Sequence, residues 1–491
     1  MSKRLANLMR VDLENADSYE EWKEIALRKD KLRGLEAWKT KEPSNLYDYQ
    51  AIRKRVNLYR EMREQGDDEG LLFALNEGIH GNMGGMGNPK LYRYCSFGTK
   101  QLINDYVEEV SNALVHLASD KVDSISLEDK LEFFHRASHC FGRSALMLSG
   151  SGSLFYFHLG VVKALWEQKL LPTVISGSSG GAIVAAVFSA NSHTGVEKLF
   201  DPEFINMEME IERDINKKSR WKKPAKITPE EIRNSFARLI PDITFQEAAE
   251  LTGMHLNISV AAAEKHQTSR LLNDIASPNV LIREALMASC SLPGYFPPVA
   301  LAARDKDGNR KPYLPHRKWI DGSISDDLPI KRVTRLYGVN HTIVSQTNPV
   351  ALPFISKESS NPVVGLLKDT LKSTAKQWVL ALAKLIDTPT KIHRSMNRMV
   401  HMTSSVLAQT YTGDINILPP KQIHNPLQLM KERTNAENLE IIKAGEKSTW
   451  PEIERIRIQT KVSLTLEKLI SELEEKALHP TKKSKPRKNT R

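Results

Sequence analysis

The chain has 491 residues, of which 40% are hydrophobic and 26% charged. This composition excludes an intrinsically disordered chain, and the length exceeds what one ordinary core holds, so two or three domains are expected. The formal net charge of +11 favours anionic partners, either lipid headgroups or nucleic acid.

The cysteines, the first 30 residues and the apolar runs of the chain indicate the cellular compartment. Three cysteines occur, Cys95, Cys140 and Cys290, without the spacing of a zinc site or a disulfide framework, which predicts a reducing compartment. The first 30 residues are rich in charge and contain no apolar signal-peptide core. No uncharged apolar run reaches the roughly 18 residues of a transmembrane helix.

The region before residue 144 is predicted to be helical. Apolar side chains recur at helical spacing within 15–65, and further helices are predicted over 99–118 and 127–140. A glycine-rich loop at 78–89 separates the first helical stretch from the others. We therefore assign residues 1–143 to a helical N-terminal domain.

The sequence changes character near residue 144. The apolar run Ala145–Leu148 predicts a strand, which is followed by a glycine-rich turn and a helix at 157–169. The same order repeats, with a strand at 173–175, a second glycine-rich turn and a helix of small residues at 182–190. Such repeats imply an α/β fold with a parallel sheet, whose ligands bind beyond the carboxyl ends of the strands.

Downstream residues complete this predicted core, which we assign to 144–350. Residues 201–240 are polar and charged and are predicted to form a helical insertion. Three further strands are predicted, at 256–260, 318–320 and 342–345.

The remaining chain is predicted to be a helical C-terminal region, 351–478. It contains a basic helical stretch at 363–407 and a heptad-like helix at 461–478. The lysine- and arginine-rich tail, 479–491, is predicted to be disordered.

The first candidate functional residue is Ser179, in the segment Gly177-Ser178-Ser179-Gly180-Gly181, here called the nucleophile turn. This segment fits the G-x-S-x-G pattern and lies between a predicted strand and a predicted helix, as that pattern requires. Gly177 and Gly181 let the backbone bend tightly, and the helix N-terminus offers positive potential to an oxyanion. A packing turn without chemistry, or Ser178 as the nucleophile, are the alternatives.

A second candidate segment is Gly150-Ser151-Gly152-Ser153, here called the glycine turn. Its backbone N–H groups are predicted to hold an oxyanion or a phosphate. A dinucleotide site is disfavoured because Phe155 stands where that fingerprint needs glycine, and no Walker lysine follows. A plain turn between strand and helix is the alternative.

The predicted general base is Asp321. A serine nucleophile needs a group that accepts its proton. Asp321 follows the apolar pair Trp319-Ile320 and precedes Gly322, so it is a strand-end carboxylate that can act on serine directly once partly desolvated. Asp326 and Asp327 are competing candidates.

Histidines offer a different base. His341, His393 and His401 follow Asp321 in a possible Ser-Asp-His order. None lies in a loop after a strand, so a core or surface role is favoured for each. His158 is predicted to pack against the glycine turn rather than to titrate.

Together these motifs resemble the patatin-like phospholipase family, and more narrowly its triacylglycerol lipases in fungi, plant seed-oil bodies and bacteria. Besides the two turns, the resemblance rests on the Ala-Ser-x-x-x-Pro segment Ala288–Pro293 and on Asp321-Gly322-Ser323. It covers roughly residues 15–420, including a module that precedes the core.

The resemblance implies a patatin-like three-layer α/β core and a Ser179–Asp321 dyad without histidine, metal or other cofactor. Hydrolysis would pass through an acyl-serine, with Asp321 first accepting the serine proton and then activating water. Two residues depart from the family pattern, since Ser151 and Phe155 both replace glycine. A positive φ at Ser151 would strain the turn, and either change would weaken activity or alter the substrate.

The sequence therefore predicts a serine lipid acyl hydrolase that cleaves fatty-acyl esters of triacylglycerol or phospholipid. A catalytically weak or inactive lipid-surface protein and a lysophospholipid or monoacylglycerol transacylase are the alternatives. We expect a glycerolipid substrate, no nucleic-acid partner and an undetermined oligomeric state.

The expected location is cytoplasmic, with peripheral binding to a lipid droplet or membrane and neither a signal peptide nor a transmembrane helix. Residues 363–386 fit an amphipathic helix that lies at a lipid interface or packs on the core.

Overall fold

The computed structural model describes residues 11–191, 196–205, 228–264, 268–293, 296–348, 411–420 and 433–479. These residues fall into two compact units, one drawn from 1–143 and 454–491 and the other from 144–453. The predicted basic helix at 363–407, the middle of the predicted insertion at 206–227 and the tail beyond 479 lie outside the described residues.

The first unit is built from helices, most of which contribute buried apolar side chains to one core. Several helices begin with a side chain that accepts an N–H of the first turn, as Ser18, Asp48 and Ser126 do. The helices are α1 (Tyr19–Leu32), α2 (Glu36–Thr40), α3 (Tyr49–Gln65), α4 (Asp68–Gly78), α5 (Pro89–Arg93), α6 (Gln101–Ala118), α7 (Leu127–Phe141) and α15 (Ile453–Leu478). Ile458 and Leu466 of α15 are fully buried in this core, so the predicted heptad-like helix is confirmed.

The second unit alternates strands and helices. Its strands are β1 (Arg143–Leu148), β2 (Val174–Gly177), β3 (His255–Ala262), β4 (Arg270–Leu272), β5 (Leu301–Arg304), β6 (Arg310–Tyr313), β7 (Trp319–Asp321), β8 (Val339–Ser345) and β9 (Ile415–Ile417). Its helices are α8 (Phe155–Glu167), α9 (Gly180–Ala190), α10 (Pro229–Leu239), α11 (Phe245–Thr252), α12 (Ile282–Ser289), α13 (Ile330–Tyr337) and α14 (Asn435–Thr449).

Seven of these strands form one sheet in the order β4-β3-β2-β1-β8-β9, with β7 also paired to β3. The pairs β1–β2, β2–β3 and β8–β9 are parallel, whereas β4 and β7 run antiparallel to β3. Strands β1 and β2 are buried along almost their whole length, as expected when both faces of a parallel sheet are covered.

The strand register brings three functional segments to one edge of the sheet. Leu148 pairs with Gly177, and Gly177 pairs with Ile258. Asp321 pairs with Val260, two residues further along β3. The glycine turn, the nucleophile turn and Asp321 therefore meet at the edge where the parallel strands end, which is where ligands of such sheets bind.

Residues beyond 410 contribute more to the second unit than the sequence indicates. The short strand β9 pairs with β8 and extends the central sheet, although no strand is predicted there. Helix α14 packs against α8 through two glycines. A Cβ on Gly160 would lie 2.0 Å from the carbonyl oxygen of Ile442, and a Cβ on Gly445 would lie 2.2 Å from that of Phe157.

The predicted α/β core with a mostly parallel sheet, N-terminal helices and C-terminal helical segments is confirmed. The division into four segments stays a prediction, and the structure groups α15 with the N-terminal helices. Among the helices of the described residues, none has the length and apolar character needed to cross a membrane.

Candidate functional site

Ser179 occupies a strained turn between β2 and α9. Its backbone has φ 51° and ψ −123°, a conformation that L-residues with a side chain rarely adopt. A Cβ on Gly177 would lie 2.5 Å from the backbone of Gly181, and a Cβ on Gly181 would lie 2.5 Å from the carbonyl oxygen of Leu148. The two glycines therefore let strand, turn and helix approach closely enough to hold this conformation.

Hydrogen bonds of Ser289 and Ser178 hold the nucleophile turn in place. The Ser179 N–H donates to Oγ of Ser289 at 3.0 Å, and Ser289 donates to the carbonyl oxygen of Ser259 at 2.8 Å. The Ser178 hydroxyl is buried and donates to the carbonyl oxygen of Asp327 at 3.0 Å, whereas the Ser179 side chain interacts with the Asp321 carboxylate and lowers its pKa. The structure therefore favours Ser179 over Ser178 as the reactive hydroxyl.

The Asp321 carboxyl group is buried at the end of β7, with 2% of the residue exposed. Its Oδ1 accepts hydrogen bonds from the N–H of Ser323 at 2.9 Å and from the Ser323 hydroxyl at 2.7 Å. Burial raises the pKa of Asp321 to about 6, although the hydrogen bonds from Ser323 and Ser179 oppose this shift. A carboxylate with such a pKa is ionised at neutral pH and can accept a proton from serine.

The glycine turn lies directly against the nucleophile turn. A Cβ on Gly180 would lie 2.2 Å from Oγ of Ser151 and 3.3 Å from the amide nitrogen of Gly152. In the described part of the chain, no acceptor is bound to the N–H groups of Ser151, Gly152 or Gly180. Three unused donors beside a reactive hydroxyl can stabilise an oxyanion.

The positive φ in the glycine turn lies at Gly152, which adopts it without strain, and not at Ser151. Ser151 has φ −135°, which any residue adopts, and the positive φ of 51° belongs to Gly152. The replacement of glycine by serine at 151 therefore causes no left-handed strain. Phe155, the other departure from the family pattern, is buried at the start of α8 and stacks on Tyr156 with ring centres 4.2 Å apart.

One of the four predicted oxyanion donors is used elsewhere. The N–H of Gly150 donates to Oδ1 of Asp327 at 2.7 Å, so this group is not available to a bound oxyanion. Gly150 thus belongs to the support of the turn rather than to its donors, which is a correction to the sequence analysis. Ser153, the last of the four, accepts a hydrogen bond at its hydroxyl from Arg433, which lies just before α14.

His158 supports the glycine turn from the other side. Its Nε2 lies 2.9 Å from the carbonyl oxygen of Ser149 and its Nδ1 lies 2.7 Å from Oγ of Ser345. Burial lowers the pKa of His158 to about 4, so the ring is neutral at physiological pH. This geometry agrees with the prediction that His158 packs against the turn and does not titrate.

The competing bases lie elsewhere. Asp326 pairs with Arg332 at 3.4 Å, and both carboxylate oxygens of Asp327 accept hydrogen bonds from other groups. His341 is buried in β8 and hydrogen-bonds with Ser144 at the opposite end of β1 from the glycine turn. His393 and His401 lie outside the described residues. Among the described residues, no cluster of histidine, cysteine or carboxylate side chains has the arrangement of a metal site.

Among the described residues, Ser289, Asp327 and Arg433 contact the two turns in roles that the sequence did not indicate. Ser289 belongs to the Ala-Ser-x-x-x-Pro segment, and that motif was the available signal for it. Asp327 was considered only as a competing base. Its contact with Gly150 joins residues 177 positions apart, so no local pattern could reveal it.

Comparison with known proteins identifies two segments. Residues 146–334 match the family described as patatin-like phospholipase, and residues 2–139 match a domain of unknown function, DUF3336. The chain is 35% identical over 481 residues to triacylglycerol lipase 4 of Saccharomyces cerevisiae, an alignment that covers 93% of this chain and 52% of the relative.

Other relatives give the same result. Triacylglycerol lipase SDP1L of Arabidopsis thaliana is 31% identical, with 95% of this chain and 58% of the relative covered. Triacylglycerol lipase 5 of Saccharomyces cerevisiae is 32% identical, with 94% and 65% covered. The chain thus spans between half and two thirds of the length of these relatives. A solved structure, VipD from Legionella pneumophila, matches 68% of this chain and 67% of its own at 13% identity with a TM-score of 0.24, too low to support a conclusion.

The family resemblance predicted from the motifs is therefore confirmed over most of the chain. The chain belongs to the patatin-like phospholipase family through its domain at 146–334, and carries the DUF3336 module ahead of that domain.

Proposed function

We propose that this chain is a serine lipid acyl hydrolase that cleaves fatty-acyl esters of glycerolipids. The observation that carries the proposal is that the Ser179 side chain interacts with the buried carboxylate of Asp321 and lowers its pKa. The curated relatives bear the name triacylglycerol lipase, which supports triacylglycerol as the substrate, with phospholipid as the second candidate.

In the proposed first step, Asp321 accepts the proton of Ser179 while Oγ attacks the ester carbonyl carbon. The N–H groups of Ser151, Gly152 and Gly180 donate to the oxyanion that forms on the carbonyl oxygen. When the tetrahedral intermediate collapses, the bond to the glycerol oxygen breaks, and that oxygen takes the proton from Asp321. The products are an acyl-serine and a glycerolipid that carries one acyl group fewer.

In the proposed second step, water replaces the departed alcohol. Asp321 accepts a proton from the water molecule as its oxygen attacks the acyl-serine carbonyl, and the same donors stabilise the second oxyanion. Collapse releases the fatty acid and returns the proton to Ser179. Because one carboxylate serves as base and acid in turn, the cycle needs neither histidine nor metal.

The strained backbone of Ser179 supports the assignment. Conformations in this region cost on the order of 1–3 kcal/mol, and they persist where the surrounding structure enforces them for function. The glycines that flank Ser179 and the Ser289 contact enforce the conformation here. A turn that only connected a strand to a helix would need no such enforcement.

We also propose that the protein works at a lipid surface, either a lipid droplet or a membrane, to which it binds peripherally. Long-chain glycerolipids are held in such surfaces rather than dissolved, and the net charge of +11 favours anionic lipid. Flotation with phosphatidylserine-containing vesicles tests this point. Binding that weakens as salt increases is expected, and absence of binding at low salt would contradict it.

The hydrolase proposal is tested with a fluorophosphonate probe and a panel of triacylglycerol and phospholipid substrates. Wild-type protein is expected to be labelled and to release fatty acid, whereas Ser179→Ala should lose both. Ser176→Ala is the matched control, because Ser176 lies three residues away in β2 and its buried hydroxyl has no hydrogen-bond partner among the described residues.

Two outcomes would redirect the proposal. A folded wild-type protein that is not labelled and binds lipid would indicate the non-catalytic alternative. Acyl transfer to monoacylglycerol without release of free fatty acid would indicate a transacylase.

A further inference from the structure

Asp327 is a buried carboxylate beside the glycine turn, and the proposed reaction assigns it no step. Its Oδ1 accepts the N–H of Gly150 at 2.7 Å, and its Oδ2 accepts the side-chain amide of Asn348 at 3.0 Å. Only 1% of the residue is exposed. Each carboxylate oxygen of Asp327 therefore accepts a hydrogen bond from a protein N–H group.

The contact with Gly150 fixes one specific peptide group. In a trans peptide the carbonyl oxygen and the N–H point in opposite directions. Asp327 holds the Gly150 N–H, and His158 holds the carbonyl oxygen of Ser149, which belongs to the same peptide unit. The Ser149–Gly150 peptide is thus held at both ends, directly before the unused N–H groups of Ser151 and Gly152.

We infer that Asp327 is a positioning residue for the glycine turn. Its carboxylate, together with His158, fixes the Ser149–Gly150 peptide and thereby aims the following N–H groups at the ester carbonyl bound at Ser179. This inference rests on the proposed hydrolase function and adds a residue to its machinery.

The short loop from Asp321 to Asp327, here called the DG loop, couples this support to the base. Asp321 at its start interacts with the Ser179 side chain, and Asp327 at its end accepts the N–H of Gly150. A Cβ on Gly150 would lie 2.7 Å from Cβ of Ser323, so the middle of the DG loop also touches the glycine turn. One loop therefore positions both the base and the donors.

The role requires an ionised carboxylate. Both oxygens of Asp327 face donors, so a proton on either oxygen would oppose an N–H group. The pKa of Asp327 is raised to about 7, chiefly by burial and also by the charges of Asp321 and Asp326, while the bonds from Gly150 and Asn348 oppose the shift. Tyr411 is a further titratable group near Asp327 among the described residues; its pKa is raised by burial and by the charge of Asp327, so it is a neutral phenol.

The first test compares Asp327→Ala with Asp327→Asn in the full chain. Fluorophosphonate titration counts reactive serines, and kcat is expressed per reactive serine. We expect Asp327→Ala to lower this kcat by about 10- to 100-fold with little change in KM, because misplaced donors weaken stabilisation of the transition state. Asp327→Asn mimics the protonated carboxyl and should also lose about tenfold or more at alkaline pH, because its side-chain NH2 would oppose the side-chain amide of Asn348.

The second test is the pH profile. If Asp321 and Asp327 must both be ionised, log(kcat/KM) should rise with a slope of two in acid, because two protons leave. In Asp327→Asn the slope should fall to one. The rise of kcat/KM should also begin at lower pH, because the loss of repulsion between the two carboxylates lowers the pKa of Asp321. A residue that merely stabilised the fold would leave this slope unchanged.

Asp326→Asn is the matched control. It removes a neighbouring charge of the same DG loop but no contact to the glycine turn, so kcat per reactive serine should stay near the wild-type value. Unchanged kcat in Asp327→Ala, or a slope of two that persists in Asp327→Asn, would overturn the inference. If Asp327→Ala does not fold, the slope of log(kcat/KM) against pH in Asp327→Asn tests the inference by itself. Wild-type protein without labelling or turnover would instead refute the hydrolase proposal.

Discussion

The Ser179 N–H donates a hydrogen bond to Oγ of Ser289 at 3.0 Å. The same Ser289 hydroxyl donates to the carbonyl oxygen of Ser259 in β3 at 2.8 Å. The chain of two hydrogen bonds ties the nucleophile turn to a central strand. It also means that the backbone amide of Ser179 is engaged before any substrate arrives, so the oxyanion donors must come from neighbouring residues.

Ser289→Ala is therefore expected to slow the reaction of Ser179. The substitution leaves the partly buried N–H of Ser179 without its acceptor, which costs about 1–3 kcal/mol and lets the turn relax. We expect the rate constant of fluorophosphonate labelling to fall by about tenfold or more. Ser291→Ala is the control, because the Ser291 hydroxyl donates to the carbonyl oxygen of Met287, four residues earlier, and to no group of the nucleophile turn in the part of the chain that the structure describes. Equal labelling rates in the two variants would show that the Ser289 contact is dispensable.

The positive φ of Ser179 predicts an inverted preference between glycine and alanine. Ser179→Gly should be more stable than Ser179→Ala by about 1 kcal/mol, because glycine adopts φ 51° without strain. At Ser176 in the extended strand β2 the order should reverse, since glycine there only adds conformational entropy to the unfolded chain. Urea unfolding of the four variants measures both differences, and the same sign at both positions would rule out strain at Ser179.

Removal of the Ser323 hydroxyl should shift the acid limb of the pH profile, which is the pH range over which kcat/KM decreases as the solution becomes more acidic. Asp321 accepts a proton only when ionised, so its pKa of about 6, together with the pKa of Asp327 of about 7, determines how kcat/KM falls as the pH decreases. The Ser323 hydroxyl lowers the pKa of Asp321 by hydrogen bonding to the carboxylate. Ser323→Ala should therefore move the acid limb to higher pH. A limb that stays in place or moves to lower pH would contradict Asp321 as the base.

Asp321→Asn should abolish turnover and yet stabilise the fold above neutral pH. The folded-state pKa of Asp321 is raised, so ionisation disfavours the folded state, and stability is lost as the pH rises from 3.8 to about 6. Asparagine is never ionised and avoids this loss, which amounts to at most about 3 kcal/mol. Denaturant unfolding at pH 8 should show the gain, and at about pH 4 the two proteins should be nearly equal. A gain of the same size at both pH values would show that ionisation is not its cause.

The crossing of α8 and α14 predicts that Gly445→Ala destabilises the second unit. Alanine in place of a mid-helix glycine normally stabilises a helix by about 1 kcal/mol. Here its Cβ would lie 2.2 Å from the carbonyl oxygen of Phe157, so overpacking should cost about 1–3 kcal/mol instead. Lys443→Ala, at an exposed position of α14, is the control and should change the free energy of unfolding little. A stabilised Gly445→Ala variant would mean that the helices lie further apart.

The amino-acid sequence by itself determined the features that depend on neighbouring residues. The apolar run before each turn and the small residues after it define strand, turn and helix, because these are local preferences of backbone and side chain. Ser179 between Gly177 and Gly181, and Asp321 directly after an apolar strand, are recognisable on the same grounds. The family resemblance followed from the order of these motifs along the chain.

Only the tertiary structure decided which groups meet. Asp321, Asp326 and Asp327 lie in one loop, and the register of β7 on β3 determines which of them reaches Ser179. The Asp327–Gly150 and Ser179–Ser289 contacts join residues more than 100 positions apart, and β9 and α14 join the core from beyond residue 410. Such contacts depend on how strands and helices pack, and packing over long sequence separations leaves no periodic pattern in the chain.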